Sequence, residues 1–353
     1  LTVKAPKKAG RRSSLKNQRE AQLPMMRNSE RGAFKKCRFV WSLGFENFLQ
    51  PKTAAPALRF GTLVHKALAA WYIPGLKRGV PPADTFTKLY EEELKEQESF
   101  GFRDEDGKWH KAAELGVAMM ENYIEQYGTD DRWEVLATEQ PFWVVVNHPV
   151  TGKPWFRYAG VVDGIWRWRP DKKIWIPDHK TSTGLSESMV KYLKMDDQAG
   201  GYWTFGVDWL YANKFLGPRQ KLAGMVFNFM NKKMPDERPF KIVSGKRLYL
   251  NKDSSVSKVQ PAMEFLRQKI YRDEADRLAQ RQRAIWDYGE IEMVHNGELQ
   301  ITKNPTKMNC GTCWAIDICE LHESGHDWEE FMKATTRHWD PYAEHEIYEG
   351  EAR

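Results

Sequence analysis

The sequence predicts an α/β protein, a core of strands and helices surrounded by further helices. Three observations predict it. Apolar residues recur at helical spacing from Gly61 to Tyr127. Between Trp133 and Thr181 the period shortens to two, and β-branched and aromatic residues accumulate. Beyond Asp197 a helix returns, followed by a further strand. At 353 residues, 41% of them hydrophobic, the chain can bury one large core or two modest ones.

The elements follow in order. Residues 1–27 read as a flexible basic arm. Ser29 to Phe48 reads as a short helix carrying Phe34, Cys37, Phe39, Val40 and Trp41, and Pro51 and Pro56 mark a linker. Gly61 to Tyr72 is an apolar helix containing His65, stopped by Pro74-Gly75. Asp84 is placed to N-cap the helix Thr85 to Glu98. Lys111 to Tyr127 is an amphipathic helix ended by Gly128. Strands follow over Trp133 to Val146, Trp155 to Trp168 and Lys173 to Thr181, the first two joined by a turn at Asn147 to Lys153. Asp197 to Phe215 is helical, Leu222 to Met230 is a strand, and Phe240 to Leu250 reads as another. Pro261 to Tyr288 reads as a long helix with Leu266, Ile270, Leu278, Ile285 and Trp286 as its apolar seam. The expected parts are the arm (1–27), an N-terminal helical part with Cys37 and His65 (28–130), the core (131–230), a helical insert with three cysteines (231–325) and an acidic tail (326–353).

No run of about 18 apolar residues exists, so no membrane span is expected. The N-terminus lacks the apolar stretch of a secretory signal, and a cytoplasmic location is expected. There is no internal repeat and no Gly-rich phosphate loop of the Walker type. Charge is unevenly spread. Residues 1–36 hold eleven Lys/Arg against Glu20 and Glu30, a net of +9, which leaves −3 for the rest of a chain of net +6. A basic arm on a near-neutral body fits an anionic polymer as partner; a solubilising tail is the alternative. Most of the 15 tryptophans are expected in the core, with a few free to stack on bases.

The chemistry concentrates in two β-rich runs, Gly160-Val161-Val162-Asp163-Gly164-Ile165 and Ile176-Pro177-Asp178-His179-Lys180-Thr181. Side chains alternate along a strand, so Asp178 and Lys180 share a face and His179 points away. An isolated Asp-x-Lys is most often an exposed ion pair. Here apolar residues precede each acid, so the strands read as core, where charges must be paired or liganded. Two acids and a lysine at one spot suit metal-dependent phosphodiester cleavage: the acids hold a hard cation and the lysine stabilises charge beside the phosphate.

There are four cysteines, Cys37, Cys310, Cys313 and Cys319. Three lie at metal-ligand spacing, and four thiolates are what a tetrahedral zinc site or an iron–sulfur cluster requires. Either would be structural and would tie the two ends of the chain together.

In order along the chain, Gly61-Thr62-Leu63-Val64-His65, Gly160 to Asp163, Asp178-His179-Lys180 and Gln198-Ala199-Gly200-Gly201-Tyr202, together with the cysteine pattern, resemble the RecB-like exonuclease branch of the PD-(D/E)xK nuclease superfamily. The similarity is to CRISPR-associated RecB-like exonucleases with an iron–sulfur cluster and to phage exonucleases, over roughly residues 29–325. The resemblance implies a restriction-endonuclease-like core, a central mixed β-sheet flanked by helices. His65, Asp163, Asp178 and the His179 carbonyl would hold Mg²⁺ or Mn²⁺, and Lys180 would assist the attacking water. Gln198 and Tyr202 would position the site or the DNA strand, and Glu139 would support the ligands from outside. Cys37, Cys310, Cys313 and Cys319 would hold a [4Fe-4S] cluster, with Zn²⁺ as the alternative. The implied function is DNA exonuclease action on linear ends in phage or prokaryotic recombination, repair or processing. Strand preference, a homo-oligomer and a helicase or recombination partner stay open. A non-catalytic DNA-end-binding subunit and a zinc-clipped structural protein are the other readings. Asp178 stands where the superfamily more often has glutamate, and the insert around Phe240–Tyr288 is longer than a minimal member needs.

Overall fold

The computed structural model describes residues 20, 22–53, 56–186, 188–244 and 246–343. Among them the strands are β1 (Met25–Arg27), β2 (Leu49–Pro51), β3 (Trp133–Asn147), β4 (Pro154–Trp168), β5 (Ile174–Ser182), β6 (Leu222–Asn231), β7 (Phe240–Val243), β8 (Lys246–Tyr249), β9 (Phe265–Ile270) and β10 (Thr336–His338). β3 runs antiparallel along one edge of β4. The other edge of β4 is shared. β1 pairs with it in parallel at residues 157–159, and β5 pairs antiparallel at Trp166 and Arg167. β6 then lies parallel to β5, and β9 antiparallel to β6. The sheet is therefore mixed. β6 is buried along nearly its whole length, as a central strand covered on both faces must be.

Helices cover both faces because each strand sends apolar side chains both ways. On one face the helices Pro56–Trp71, Pro82–Ser99 and Lys108–Tyr127 pack Phe60, Val64, Phe86 and Trp109 with Trp133, Trp175 and Val226 of the sheet. On the other, the segment 197–212 and the helix Glu274–His295 pack Phe205, Ala284 and Tyr288 with Phe156, Tyr158 and Phe227. No helix among the described residues is long and apolar enough to cross a membrane.

Several elements differ from the sequence expectation. The expected long helix from Pro261 is a strand, β9, followed by the helix Glu274–His295. β6 needs a partner on its outer edge, and that pairing overrides the helix-forming residues in Phe265–Ile270. Asp273 and Asp276 then form a reciprocal cap that starts the helix. Its buried face is Gln280, Ala284, Tyr288 and Ile291, whereas Leu278 and Trp286 of the expected seam are exposed. Phe240 to Leu250 is a β7–β8 hairpin rather than one strand. The Ser29–Phe48 helix is broken at Cys37, whose backbone is extended. The helix expected from Thr85 begins at Pro82, which puts Asp84 in its first turn instead of at the cap. Asp197 to Phe215 is a helix interrupted by a wider π-type turn at Tyr202–Gly206 and ending at Ala212.

The outer parts also differ. Met25–Arg27, expected in the basic arm, is a sheet strand; residues 1–19 of that arm lie outside the described residues. The expected acidic tail begins with the helix Trp328–Thr335 and with β10, which pairs with β2. Residues 344–353 lie outside the description.

Glu30 fastens these ends together. Its buried carboxylate accepts hydrogen bonds from Trp41 Nε1 (3.3 Å) and Tyr342 Oη (2.7 Å). Burial pushes its pKa up to about 7, the hydrogen bonds opposing only in part. A raised carboxylate binds its proton more tightly in the folded than in the unfolded chain. Stability therefore falls as pH rises between the unfolded value near 4.5 and about 7. Glu30→Gln is expected to remove this slope: relative to the variant, the wild-type denaturation midpoint rises as pH is lowered from 7.5 to 5. Urea titrations across that range check it, and parallel curves would refute the assignment.

Candidate active site

β4 and β5 share two residue pairs and then diverge. On that edge β4 is unpaired between Ala159, the end of its contact with β1, and Trp166. Backbone groups facing a gap between strands must find other partners. Side chains supply them. The His179 amide donates to Asp163 Oδ2 at 2.6 Å, and the Val161 carbonyl accepts from Tyr202 Oη at 2.7 Å. The gap is thus closed by Asp163 and Tyr202.

Asp178 and Lys180 face the 197–206 segment. Lys180 Nζ lies 2.9 Å from Asp178 Oδ2 and donates to Gln198 Oε1 at 2.7 Å. Gln198 Nε2 in turn donates to Tyr202 Oη at 3.0 Å. This relay is fixed by close backbone approach. Asp196 caps the segment through Ala199 N, and a Cβ at Gly200 would meet Gln280 at 2.4 Å while one at Gly201 would meet Tyr158 Oη at 2.0 Å. The two glycines let the segment sit flat between β4 and the helix Glu274–His295.

His65 approaches from the opposite face. Its Nδ1 lies 3.3 Å from Asp163 Oδ1. The β3–β4 register, Thr138 with Gly164 and Gln140 with Val162, sets Glu139 opposite Asp163. Glu139 has φ of +44°, a conformation costly for a residue with a Cβ and concentrated at functional sites. Donor atoms of His65, Glu139 and Asp163 all lie within 4.8 Å of one another, and no other such trio of His, Cys, Asp or Glu occurs among the described residues. Like charges directly opposite on a sheet repel. An oxygen–oxygen–nitrogen set of this kind therefore suits a cation. Asp178 Oδ2 adds a buried oxygen whose contact is the Lys180 ammonium at 2.9 Å. The donor chemistry fits a hard divalent ion.

The electrostatics describe the site before an ion binds: the positive charge beside Asp163 is then the protonated His65 ring, whose Nδ1 proton a metal would displace. Burial disfavours the charged His65 ring, but the Asp163 carboxylate outweighs it and raises His65 to about 9. Burial pushes Asp163 up, yet His65, with His179 and Lys180, holds it well below the usual carboxylate range. Asp178, buried and near Asp163, is raised to about 6 although Lys180 opposes. Lys180 loses solvation but is raised by Asp178 and Asp163, and stays protonated.

His179 sits on the other side of β5. Burial lowers it to about 3, so its ring is neutral. The ring stacks on Tyr72 and meets Asn228 Nδ2 through Nδ1 at 3.0 Å. Behind it a buried network runs on. Asn228 donates to Tyr123 Oη (2.8 Å). The Tyr123 and Tyr72 hydroxyls meet at 2.7 Å, and Tyr72 donates to Asp130 (2.9 Å). Arg267 bonds both Asp130 (2.6 Å) and Tyr123 (3.0 Å). Thr138, next to Glu139, donates to the Tyr72 carbonyl. Sequence reasoning missed this support, although Asn228, a polar residue inside the apolar run of β6, was its visible signal.

The four cysteines also meet. Asn304 and Asn309 both donate to the Lys36 carbonyl (3.1 Å each), which holds Cys37 beside the C-terminal loop. Cys37, Cys310, Cys313 and Cys319 line one cavity of about 110 Å³ with Lys36 and Lys303. All four are free thiols, and burial raises that of Cys313. A single zinc ion with bonds of about 2.3 Å would draw four sulfurs to roughly 3.8 Å apart. No three of these sulfurs lie within 4.8 Å of one another.

A family model described as the PD-(D/E)XK nuclease superfamily matches residues 29–320. No curated protein sequence matches the chain. Among solved structures, the chain is similar to one from Eubacterium rectale, provisionally named an exonuclease. The identity is 10% and the TM-score 0.42, with 88% of this chain and 93% of that one covered.

Tyr202→Phe is expected to leave the Val161 carbonyl without its donor and Gln198 without its acceptor. Loss of a buried partner costs about 1–3 kcal/mol. Chemical denaturation of the variant should show that loss; an unchanged midpoint would mean that the Val161 carbonyl does not depend on Tyr202.

Proposed function

Because the chain belongs to the PD-(D/E)XK nuclease superfamily, we propose that it is a divalent-metal-dependent DNA exonuclease, a hydrolase of phosphodiester bonds. One observation carries the reading: Asp163, Asp178 and Lys180 converge at the gap between β4 and β5, with His65 and Glu139 donors beside Asp163. His65, Glu139 and Asp163 would hold the ion, with Asp178 adjoining them. The His179 carbonyl is added on the resemblance. A divalent ion bound there supplies positive charge to a phosphate and lowers the pKa of water. Oxygen donors suit Mg²⁺ and Mn²⁺, and the imidazole tilts the set towards Mn²⁺.

The chain's own groups do the rest. Lys180, protonated and held by Asp178 and Gln198, places a fixed positive charge where negative charge grows on the reacting phosphate. Gln198 and Tyr202 restrict the lysine to that position. Asp163 keeps β5 in place through the His179 amide while presenting its other oxygen to His65. Preference for DNA ends and a setting in phage or prokaryotic recombination, repair or processing rest on the resemblance of the motifs.

For the cysteines we propose a structural [4Fe-4S] cluster. Four thiols lining one cavity could hold either group, and the preference for the cluster rests on the resemblance of the cysteine pattern.

Linear DNA should be degraded with Mg²⁺ or Mn²⁺ and spared in EDTA, and closed circular DNA should persist. Asp163→Asn and Asp178→Asn are expected to abolish cleavage. Lys180→Ala should lower the rate by about 10²–10³-fold, the usual cost of one charge-stabilising donor, while Mn²⁺ binding followed by calorimetry is retained. Undiminished cleavage by these variants would sink the assignment. Anaerobically prepared protein should carry iron and acid-labile sulfide and lose both in Cys37→Ser. Stoichiometric zinc without sulfide in such protein would refute the cluster.

A further inference from the structure

The insert between β6 and β9 has no part in the chemistry above, yet it leaves the sheet beside it. β6 ends at Asn231, paired with Ser182, two residues past Lys180. The Lys232 amide donates to the Ser182 carbonyl at 2.6 Å, and the Lys232 side chain lies over Phe60 of the His65 helix. The chain returns at Phe265, opposite Met230. The whole insert therefore projects from the end of the sheet at which β5 carries its lysine.

Its charge is distinctive. Residues 232–264 contain eight Lys/Arg and four Asp/Glu, a net of +4, on a chain whose residues beyond 36 sum to −3. The arginines are internally engaged. Arg238 pairs with Asp236 at 2.8 Å. Arg247 is buried against Phe240 (3.9 Å to the ring centre) and bonds Glu264 (3.0 Å), Gln126 (2.8 Å) and the Asn122 carbonyl (3.0 Å). These contacts root the β7–β8 ribbon on the helix Lys108–Tyr127. Asp253 is bonded by Ser255. The lysines differ: Lys233, Lys241, Lys252 and Lys258 are exposed, and none has a carboxylate within 4 Å among the described residues. On the ribbon, Phe240 and Ile242 alternate to one face and Lys241 to the other. Four lysines without a carboxylate within 4 Å are thus presented by the rooted ribbon (Lys241) and by the segments on either side of it (Lys233, Lys252 and Lys258).

We propose that this ribbon and its flanking loops are a sequence-independent DNA-binding arm. It would grip the phosphate backbone of the strand as it runs past Ser182 away from the site. The proposal rests on the nuclease reading for its ligand but not for its test. A duplex offers one phosphate per about 3.4 Å of each strand, so lysines spread over the ribbon and both its flanking segments can meet several at once. Ammonium groups on long stems suit such contacts, being point charges that need no fixed geometry.

The experiment measures binding, not cleavage. Affinity for a fluorescein-labelled linear DNA is followed by anisotropy across a salt series in EDTA. The full chain is compared with K233Q/K241Q/K252Q/K258Q. A control variant, K95Q/K111Q/K214Q/K221Q, removes the same charge from exposed lysines elsewhere; Lys214 and Lys221 precede the opposite end of β6. The arm variant should reduce the log–log salt slope by about 3, at 0.7–0.9 per lost contact, and the control should leave it unchanged. In the presence of metal, turnover at saturating DNA should stay within about twofold for both. An unchanged slope in the arm variant, or an equal fall in the control, overturns the proposal. Cleavage by wild type together with an unchanged slope would sink the arm and leave the nuclease reading intact. A lost slope without any cleavage by wild type would do the reverse. Circular dichroism and the melting temperature verify folding. Should the quadruple variant unfold, the pair K241Q/K252Q, one on β7 and one in the turn beyond β8, is expected to lower the slope by about half as much.

Discussion

Everything at the site follows from the divergence of β4 and β5. Two residue pairs join them, at Trp166–Trp175 and Arg167–Ile174. Beyond these, a continuous ladder would have satisfied the backbone and buried Asp163 and Asp178 without purpose. The gap instead leaves an amide at His179 and a carbonyl at Val161, which Asp163 and Tyr202 take up. The carboxylate that completes the backbone is the one that faces His65. A single side chain thus satisfies the backbone and meets His65, which fixes it against two references at once.

The cost of gathering acids in a low-dielectric interior is offset on both sides of the sheet. Lys180 offsets Asp178, and His65 offsets Asp163. Behind them the network from His179 through Asn228, Tyr123, Tyr72 and Asp130 to Arg267 uses one buried ion pair and a chain of hydroxyls. Such a network is costly if any member lacks a partner, and rigid when all are satisfied. It reaches the end of the His65 helix through Tyr72, the Glu139 strand through Thr138, and Asp163 through the His179 amide. The three elements that carry the donor trio are therefore held from one common polar centre.

The periphery is organised by a different device. Glu30 binds Trp41 and Tyr342, β10 pairs with β2, and Cys37 faces three cysteines nearly the whole chain away. A restraint joining distant ends removes much conformational freedom from the unfolded chain.

Much was legible in the sequence because it was written locally. Strand alternation put Asp178 and Lys180 together and turned His179 away, and the cysteine spacing marked a shared site. Those features need only the geometry of one segment. Other features required segments to meet. Glu139 was read as a peripheral residue, because no local pattern reveals that the β3–β4 register sets it opposite Asp163. Phe265–Ile270 was read as helix, because its residues suit one; the open edge of β6 made it a strand. The role of Asn228 depended on the distant Tyr123 and His179 rings it joins. Residue types and their period thus determined which groups were available for chemistry. Register, strand divergence and the partners of buried polar atoms are relations between distant segments, and these only the tertiary structure decided.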